Sequence, residues 1–186
     1  MKVSLFSFLI SVCLVGCSTL KMSDSNSKIR SPGSLDSLVK YSKISGIFLN
    51  FQNGQRISTG ISYSSQEFRS AQKELVIQTY ENNTVIETHL LLKGPKSLEF
   101  ISRSNDPRIP VITGEFFNSD YEECILKSSL PDKNISISGI VTKIDLKHAL
   151  STKTLTDSSS GKITGIMQEQ VELISESEFK AALNLK

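Results

Sequence analysis

The stretch ISGIFLNFQNGQRISTGISY, residues 44–63, sets the fold class. Ile47, Leu49 and Phe51 alternate on one side of Asn53-Gly54, and Ile57, Ile61 and Tyr63 follow on the other. A period of two on both sides of Asn-Gly predicts a β-hairpin, with Asn53 and Gly54 as the two positive-φ residues of a type I′ turn. A second hairpin is expected from ELVIQTY (74–80) and TVIETHLLL (84–92), joined by Glu81, Asn82 and Asn83.

Further runs of strand character follow at 97–102, 109–117, 121–127, 134–144 and 162–174, with turn material such as Ser104-Asn105-Asp106-Pro107 and Pro131-Asp132-Lys133 between them. About nine strands on short turns predict an all-β domain, an antiparallel meander closed as a barrel or folded as a sandwich. Ser175 and Glu178 form a capping box ahead of FKAALNL, so a short C-terminal helix is expected. The Ser- and Thr-rich span from Leu146 to Gly161 reads as a long loop and a place for a partner contact. An outer-membrane barrel is not expected, because Trp is absent, Tyr is scarce and the polar strand faces carry Glu, Lys and Gln.

Upstream of the domain, residues 18–43 are crowded with Ser, Asn and Asp and read as a tether from Cys17. A flexible chain of that length spans on the order of 30 Å. Within it Leu35, Leu38 and Val39 have helical spacing, which predicts a short helix over 34–41. The expected division is therefore 1–16 signal peptide, 17–43 lipidated Cys and tether, and 44–186 β domain.

The N-terminus itself, MKVSLFSFLISVCLVGC, has one Lys, an apolar stretch too short to span a bilayer, and a closing Leu14-Val15-Gly16-Cys17. That tetrapeptide resembles the lipobox of bacterial lipoproteins. The resemblance implies cleavage between Gly16 and Cys17, acyl chains on Cys17, and a membrane partner reached through that lipid. Two or more chains anchor stably, since each buried CH₂ contributes about 0.8 kcal/mol. With Ser18 rather than Asp after the cysteine, the resemblance implies the outer membrane of a Gram-negative envelope. The Gly46-Ile47-Phe48 triplet resembles the G-x-W start of lipocalins, with Phe48 in place of Trp and, by alternation, on the face opposite Ile47. That second resemblance implies a carrier of a small hydrophobic ligand, with Ile57, Ile61, Val111, Val141, Met167 and Val171 around its interior.

The charge balance favours neither of two classes of partner. The chain carries 21 basic and 19 acidic residues, and removing 1–16 takes only Lys2, so net charge gives no electrostatic case for nucleic acid or for an anionic membrane surface. With Cys13 in the signal and Cys17 lipidated, Cys124 has no disulfide partner and reads as a small strand residue.

Catalytic chemistry finds few groups. His89 shares the polar face of its strand with Glu87, and the remaining histidine is His148. DSSSGKIT lacks the Gly and the Ser or Thr of a phosphate-binding loop. Glu115, Asp120, Glu122 and Glu123 form an acidic group without the loop spacing of a cation site. No catalytic residue, metal ligand or cofactor is assigned. The expected function is a non-catalytic binding or scaffolding module for an envelope protein partner, with the hydrophobic-ligand carrier as the alternative.

Overall fold

A period of two carries the chain from Lys40 to Ile174. The structure, a computed structural model, describes residues 39–185 apart from 70–71, 73, 95–96, 119–122 and 131–133. Ten antiparallel strands run in order: β1 Lys40–Asn50, β2 Gln55–Arg69, β3 Glu74–Glu81, β4 Thr84–Gly94, β5 Ser97–Ser104, β6 Ile112–Asn118, β7 Glu123–Leu130, β8 Ile135–Lys143, β9 His148–Asp157 and β10 Ile163–Ile174. Each pairs with its neighbour in sequence, and β1 pairs with β10 from Tyr41↔Ile174 to Asn50↔Gly165, which closes the barrel. A single helix among the described residues, α1 Glu176–Ala182, follows β10. Its Ser175 cap and Glu178 form the expected capping box.

Closure places one row of every strand inside. Ile44, Leu75, Ile77, Leu90, Phe100, Phe116, Ile137, Leu155, Met167 and Val171 are among the side chains that form a continuous core. Phe100 and Phe116 meet at 5.1 Å between ring centroids. Glycines make room for the largest rings: a Cβ on Gly165 would lie 2.5 Å from the Phe48 ring, and one on Gly114 would lie 2.6 Å from Phe100. Ile44, Val141, Met167 and Val171 have no exposed area, so none of them borders a void that admits water.

Several expectations are corrected here. The 146–161 loop is strand β9 and its two turns. Its inward row is Ala149, Ser151, Lys153 and Leu155, all buried, and this row of small, polar and charged side chains hides the apolar alternation that marks a strand. In β1 the inner row is Ser42, Ile44 and Phe48, whereas Ile47 and Leu49 are on the outer row and Phe51 is in the turn, half exposed. Pairing with β10 fixes that phase, since Phe48 sits beside Met167 and Ile44 beside Val171.

The first hairpin forms, but over a four-residue turn, 51–54, in which Gly54 has φ +68° and Asn53 is not in the left-handed region. A β-bulge follows, where Gly46 pairs with Gly60 and Ile47 with Ser58. The extra residue, Thr59, flips the phase of β2, so Ile57 packs on the core and Ile61 points outward, 52% exposed. Val111 is likewise half exposed and outside the expected interior. Finally, β1 begins at Lys40, so residues 40–43 belong to the barrel rather than to a tether or helix. Residues 1–38, with the signal, lipobox and most of the tether, lie outside the described residues.

Candidate functional site

Three places in the barrel bring polar or reactive groups together. The first is sealed inside. Lys153 Nζ donates to Glu169 Oε2 at 2.8 Å, with both side chains essentially fully buried. The pair sits diagonally across β9 and β10 and is flanked by glycines on the outer neighbours: a Cβ on Gly139 would lie 3.1 Å from Lys153 Cγ, and one on Gly46 would lie 2.6 Å from Glu169 Cγ. Burial pushes the Lys153 ammonium below its ordinary range, and the Glu169 charge and hydrogen bond oppose that shift. The same interior holds hydroxyls. Ser42 meets Ser64 at 2.7 Å and Thr88 meets Ser102 at 2.9 Å, while Ser62 Oγ, Thr79 Oγ1 and Ser151 Oγ are buried without a hydrogen-bond partner.

The second place is on the outer wall. His89 Nδ1 lies 2.7 Å from Glu74 Oε1 and Nε2 lies 2.8 Å from Glu87 Oε1. Ionised carboxylates only accept, so the two contacts are both satisfied as hydrogen bonds when the ring is protonated and each nitrogen donates. Burial is the largest single influence and disfavours that charge, but the hydrogen bonds to Glu87 and Glu74 and their charges outweigh it and raise the His89 pKa. The chain continues through Gln78, whose Nε2 donates to Glu87 at 3.0 Å and whose Oε1 accepts from the Tyr80 hydroxyl at 2.8 Å. Both ring nitrogens are occupied, which leaves none for a metal or for proton abstraction. Glu87 on the polar face beside His89 matches the sequence expectation; Glu74 was not foreseen, because its approach depends on the β3–β4 register.

The third place is a set of open hollows. One of about 440 Å³ lies over the Gly46–Gly60 pair and is rimmed by Ile47, Ile61, Leu150, Gln168 and Gln170. The bulge turns Ile61 toward solvent beside Gly60, whereas the space a Gly46 side chain would take lies on the inner face, where its Cβ would meet Glu169 Cγ at 2.6 Å. A second hollow, of about 230 Å³, shares Ser45 and Gln170 with the first and reaches Ile144 and His148. A third, of about 390 Å³, lies over Gly114 between His89, Glu99 and Glu115. No sequence motif marks any of them, since each depends on which residues become neighbours across strands.

The remaining candidates are separated. His148 Nδ1 is 2.9 Å from Asp145 Oδ2 in the β8–β9 turn, far along the sheet from His89. Cys124 lies in β7, with its backbone in register with Asn118 and Val141. Glu115 is exposed on β6 opposite Glu99 and Lys127, and Asp120 and Glu122 lie outside the described residues. Among the described residues no group of three His, Cys, Asp or Glu is arranged to hold a metal ion. DSSSGKIT forms the β9–β10 turn, in which the Asp157 carboxylate accepts from the Ser159 and Ser160 amides and hydroxyls; these hydrogen bonds, the Ser159 hydroxyl's first, hold its pKa at about 2. Gly16 and Cys17 lie outside the described residues.

No protein-family model matches the sequence, and no curated protein matches it. Among solved structures the chain is similar to a protein of unknown function from the DUF3598 family of Nostoc punctiforme, with 10% identity, 78% of this chain and 51% of that chain covered, and a TM-score of 0.49. It is also similar to a redesigned β-barrel, mFAP1, bound to DFHBI, with 11% identity, 72% and 91% covered, and a TM-score of 0.37. The ywiB protein of Bacillus subtilis gives 10% identity, 74% and 92% covered, and a TM-score of 0.36.

Among the described residues no helix is long and apolar enough to cross a membrane. The outer wall carries Glu87, Glu99, Glu115, Lys127, Gln168 and Gln170, interspersed with exposed apolar side chains that include Ile61, Leu91, Ile125, Ile140 and Leu150.

Proposed function

We propose that this protein is a bacterial envelope lipoprotein, held at the outer membrane by acyl chains on Cys17, whose barrel is a non-catalytic module that docks an envelope protein partner on its outer wall. The observation that carries the docking reading is the hollow over Gly46 and Gly60, with Ile61 and Leu150 exposed at its rim. Apolar side chains held open beside backbone that no side chain covers suit a protruding side chain of a partner. The filled core supports a surface rather than an interior site. The engagement of His89 by two carboxylates, and of Lys153 by Glu169, supports a non-catalytic role.

Two measurements test this. The mass of the membrane-extracted protein should correspond to a chain starting at Cys17 plus acyl chains, and Cys17→Ala should leave an unprocessed precursor. A photo-crosslinking residue at Ile61 should give a discrete protein adduct in the native host that Leu150→Asp removes and that a probe at Glu115 does not give. Equal labelling from both positions would sink the docking surface.

One observation favours the carrier alternative. Ser62, Thr79 and Ser151 present partnerless hydroxyls to the interior, and an unmade buried hydrogen bond costs about 1–3 kcal/mol. A small amphipathic ligand could satisfy them if the core opened. Native mass spectrometry of the protein from its own host would show such a ligand as a releasable extra mass.

A further inference from the structure

We infer that the barrel rests on the bilayer by the end at which β1 begins, with the β8–β9 turn seated among anionic phospholipid headgroups; this orientation deepens the lipid-anchor reading and rests on it. Register fixes the geometry. Tyr41 pairs with Ile174, Glu172 with His148, and Lys143 with Ala149, so the start of β1, the end of β10 and the 144–147 turn share one end of the barrel. The chain reaching back to Cys17 enters at that same end, through Lys40. Even fully extended, the intervening residues reach only about 80 Å. Such a tether holds the barrel end near the surface at about millimolar effective concentration, so a weak contact is enough to set an orientation.

The turn is built to present apolar groups. Leu146 is 81% exposed and Ile144 62%, the highest values among the large hydrophobic side chains described. They are held out by a stiff frame. The Asp145 carboxylate accepts from the Lys147 amide at 2.7 Å and the His148 amide at 2.8 Å, Ile144 N donates to His148 O, and Leu173 N donates to Lys147 O. Two apolar tips that cannot fold back onto the barrel have no buried position in the protein, and the headgroup boundary offers one.

Charge around the tips matches that surface. Lys143 and Lys147 flank the turn in sequence, and Lys40 and Lys43 stand on β1 beside it. Burial, and then the repulsion of Lys143, pushes the Lys40 ammonium below its ordinary range, which places the two lysines together. Beside the turn the acidic groups are Asp145, tied to His148, with Glu172 and Glu178, the latter within the field of Lys147 and Lys43; farther round the same end Glu67, Glu74, Glu99 and Glu176 are paired with Arg69, His89, Lys93 and Lys180, and Glu123 opens β7. The opposite end carries the turns 51–54, 82–83 and 158–161, which hold no charged residue, and the 105–111 turn, in which Arg108 pairs with Asp106; the exposed Phe51 has no lysine within its turn.

The chain contains no Trp, so a single introduced indole reports alone. The full-length protein carrying Leu146→Trp or Phe51→Trp, processed in its host, would be reconstituted into phosphatidylethanolamine/phosphatidylglycerol vesicles containing brominated lipid. The indole of Leu146→Trp should emit at shorter wavelength and be quenched at least about twofold more than that of Phe51→Trp. Adding Lys143→Glu and Lys147→Glu should reduce the excess, as should raised salt. Equal quenching at the two positions, or more at position 51, overturns the orientation. The same variants carrying Cys17→Ala separate the two readings. Retention of Cys17→Ala on vesicles through a high-salt wash would defeat the anchor alone, whereas the quenching ratio judges the orientation in either case.

Discussion

Lys153 shows how much a single inward position can carry. Its ammonium has no exposed area and lies 2.8 Å from Glu169, whose carboxylate offsets part of the cost of burying that charge. Lys153→Ala should cost about 3–5 kcal/mol, because it takes an ion partner from a buried carboxylate, whereas Lys153→Met with Glu169→Leu should recover most of that loss. Urea unfolding of the two variants checks this, and a single variant no less stable than the double would show that the pair is not what holds the site. Glycine positions are equally unforgiving. At Gly46 a Cβ would lie 2.2 Å from Gln168 O, a backbone atom that cannot rotate away, so Gly46→Ala should lose at least about 1–3 kcal/mol. Gly54→Ala, with nothing near its Cβ but φ at +68°, should lose about 1 kcal/mol, as measured by the same unfolding curves. None of these roles was legible in the sequence. A lysine in HALSTKTLTD reads as solvated until β10 is known to lie beside it, and a glycine reads as a turn residue until its cross-strand neighbour is known.

At the scale of elements, the ion group on β3 and β4 makes stability depend on pH in a calculable direction. The His89 pKa is raised in the folded state, so its contribution is complete below the unfolded value of about 6.5 and is lost as pH rises through the higher folded value. Glu87 acts oppositely: the Gln78 hydrogen bond first, then that of His89, lowers its pKa, so its contribution holds above about 4.5 and is lost as pH falls below that. Stability measured across pH 6 to 8 should therefore decline in the native protein, and His89→Gln should flatten the decline. An unchanged slope in the variant would mean that His89 is not the titrating group. Elements with strong local signals were readable, as α1 shows. Its Ser175–Glu178 box is present as expected, and the Phe179 ring packs tilted against Tyr41 at 4.7 Å and edge-to-face against Tyr80 at 5.7 Å, contacts no local pattern reveals. Where the inward row is polar, as in β9, the local signal disappears and only the completed ladder identifies the strand. The β2 bulge is a similar case, since the alternation on each side of Thr59 is sound but the phase between the two halves is not.

For the molecule as a whole, closure between the first and last strands decides whether there is a barrel at all. The sequence made an antiparallel meander legible but left barrel and sandwich equal, because the strand order around a closed sheet is a property of the β1–β10 pairing and of nothing local. That pairing begins at Tyr41. A chain beginning at Ile44, the boundary that hydrophobic alternation alone suggests, would lose the pairs Tyr41↔Ile174, Ser42↔Leu173 and Lys43↔Glu172, the Ser42–Ser64 hydrogen bond and the Tyr41 ring under Phe179. It would leave the end of β10 as an unpaired edge, which invites pairing with a second chain. Residues 44–186 should therefore unfold at lower urea than residues 39–186 and associate as concentration rises, while the longer chain remains monomeric. Light scattering and unfolding curves on the two proteins compare them directly. Equal stability and equal monomer content would mean that the last rungs of the β1–β10 ladder contribute nothing to closure, and that the barrel is held by its core and its other nine seams.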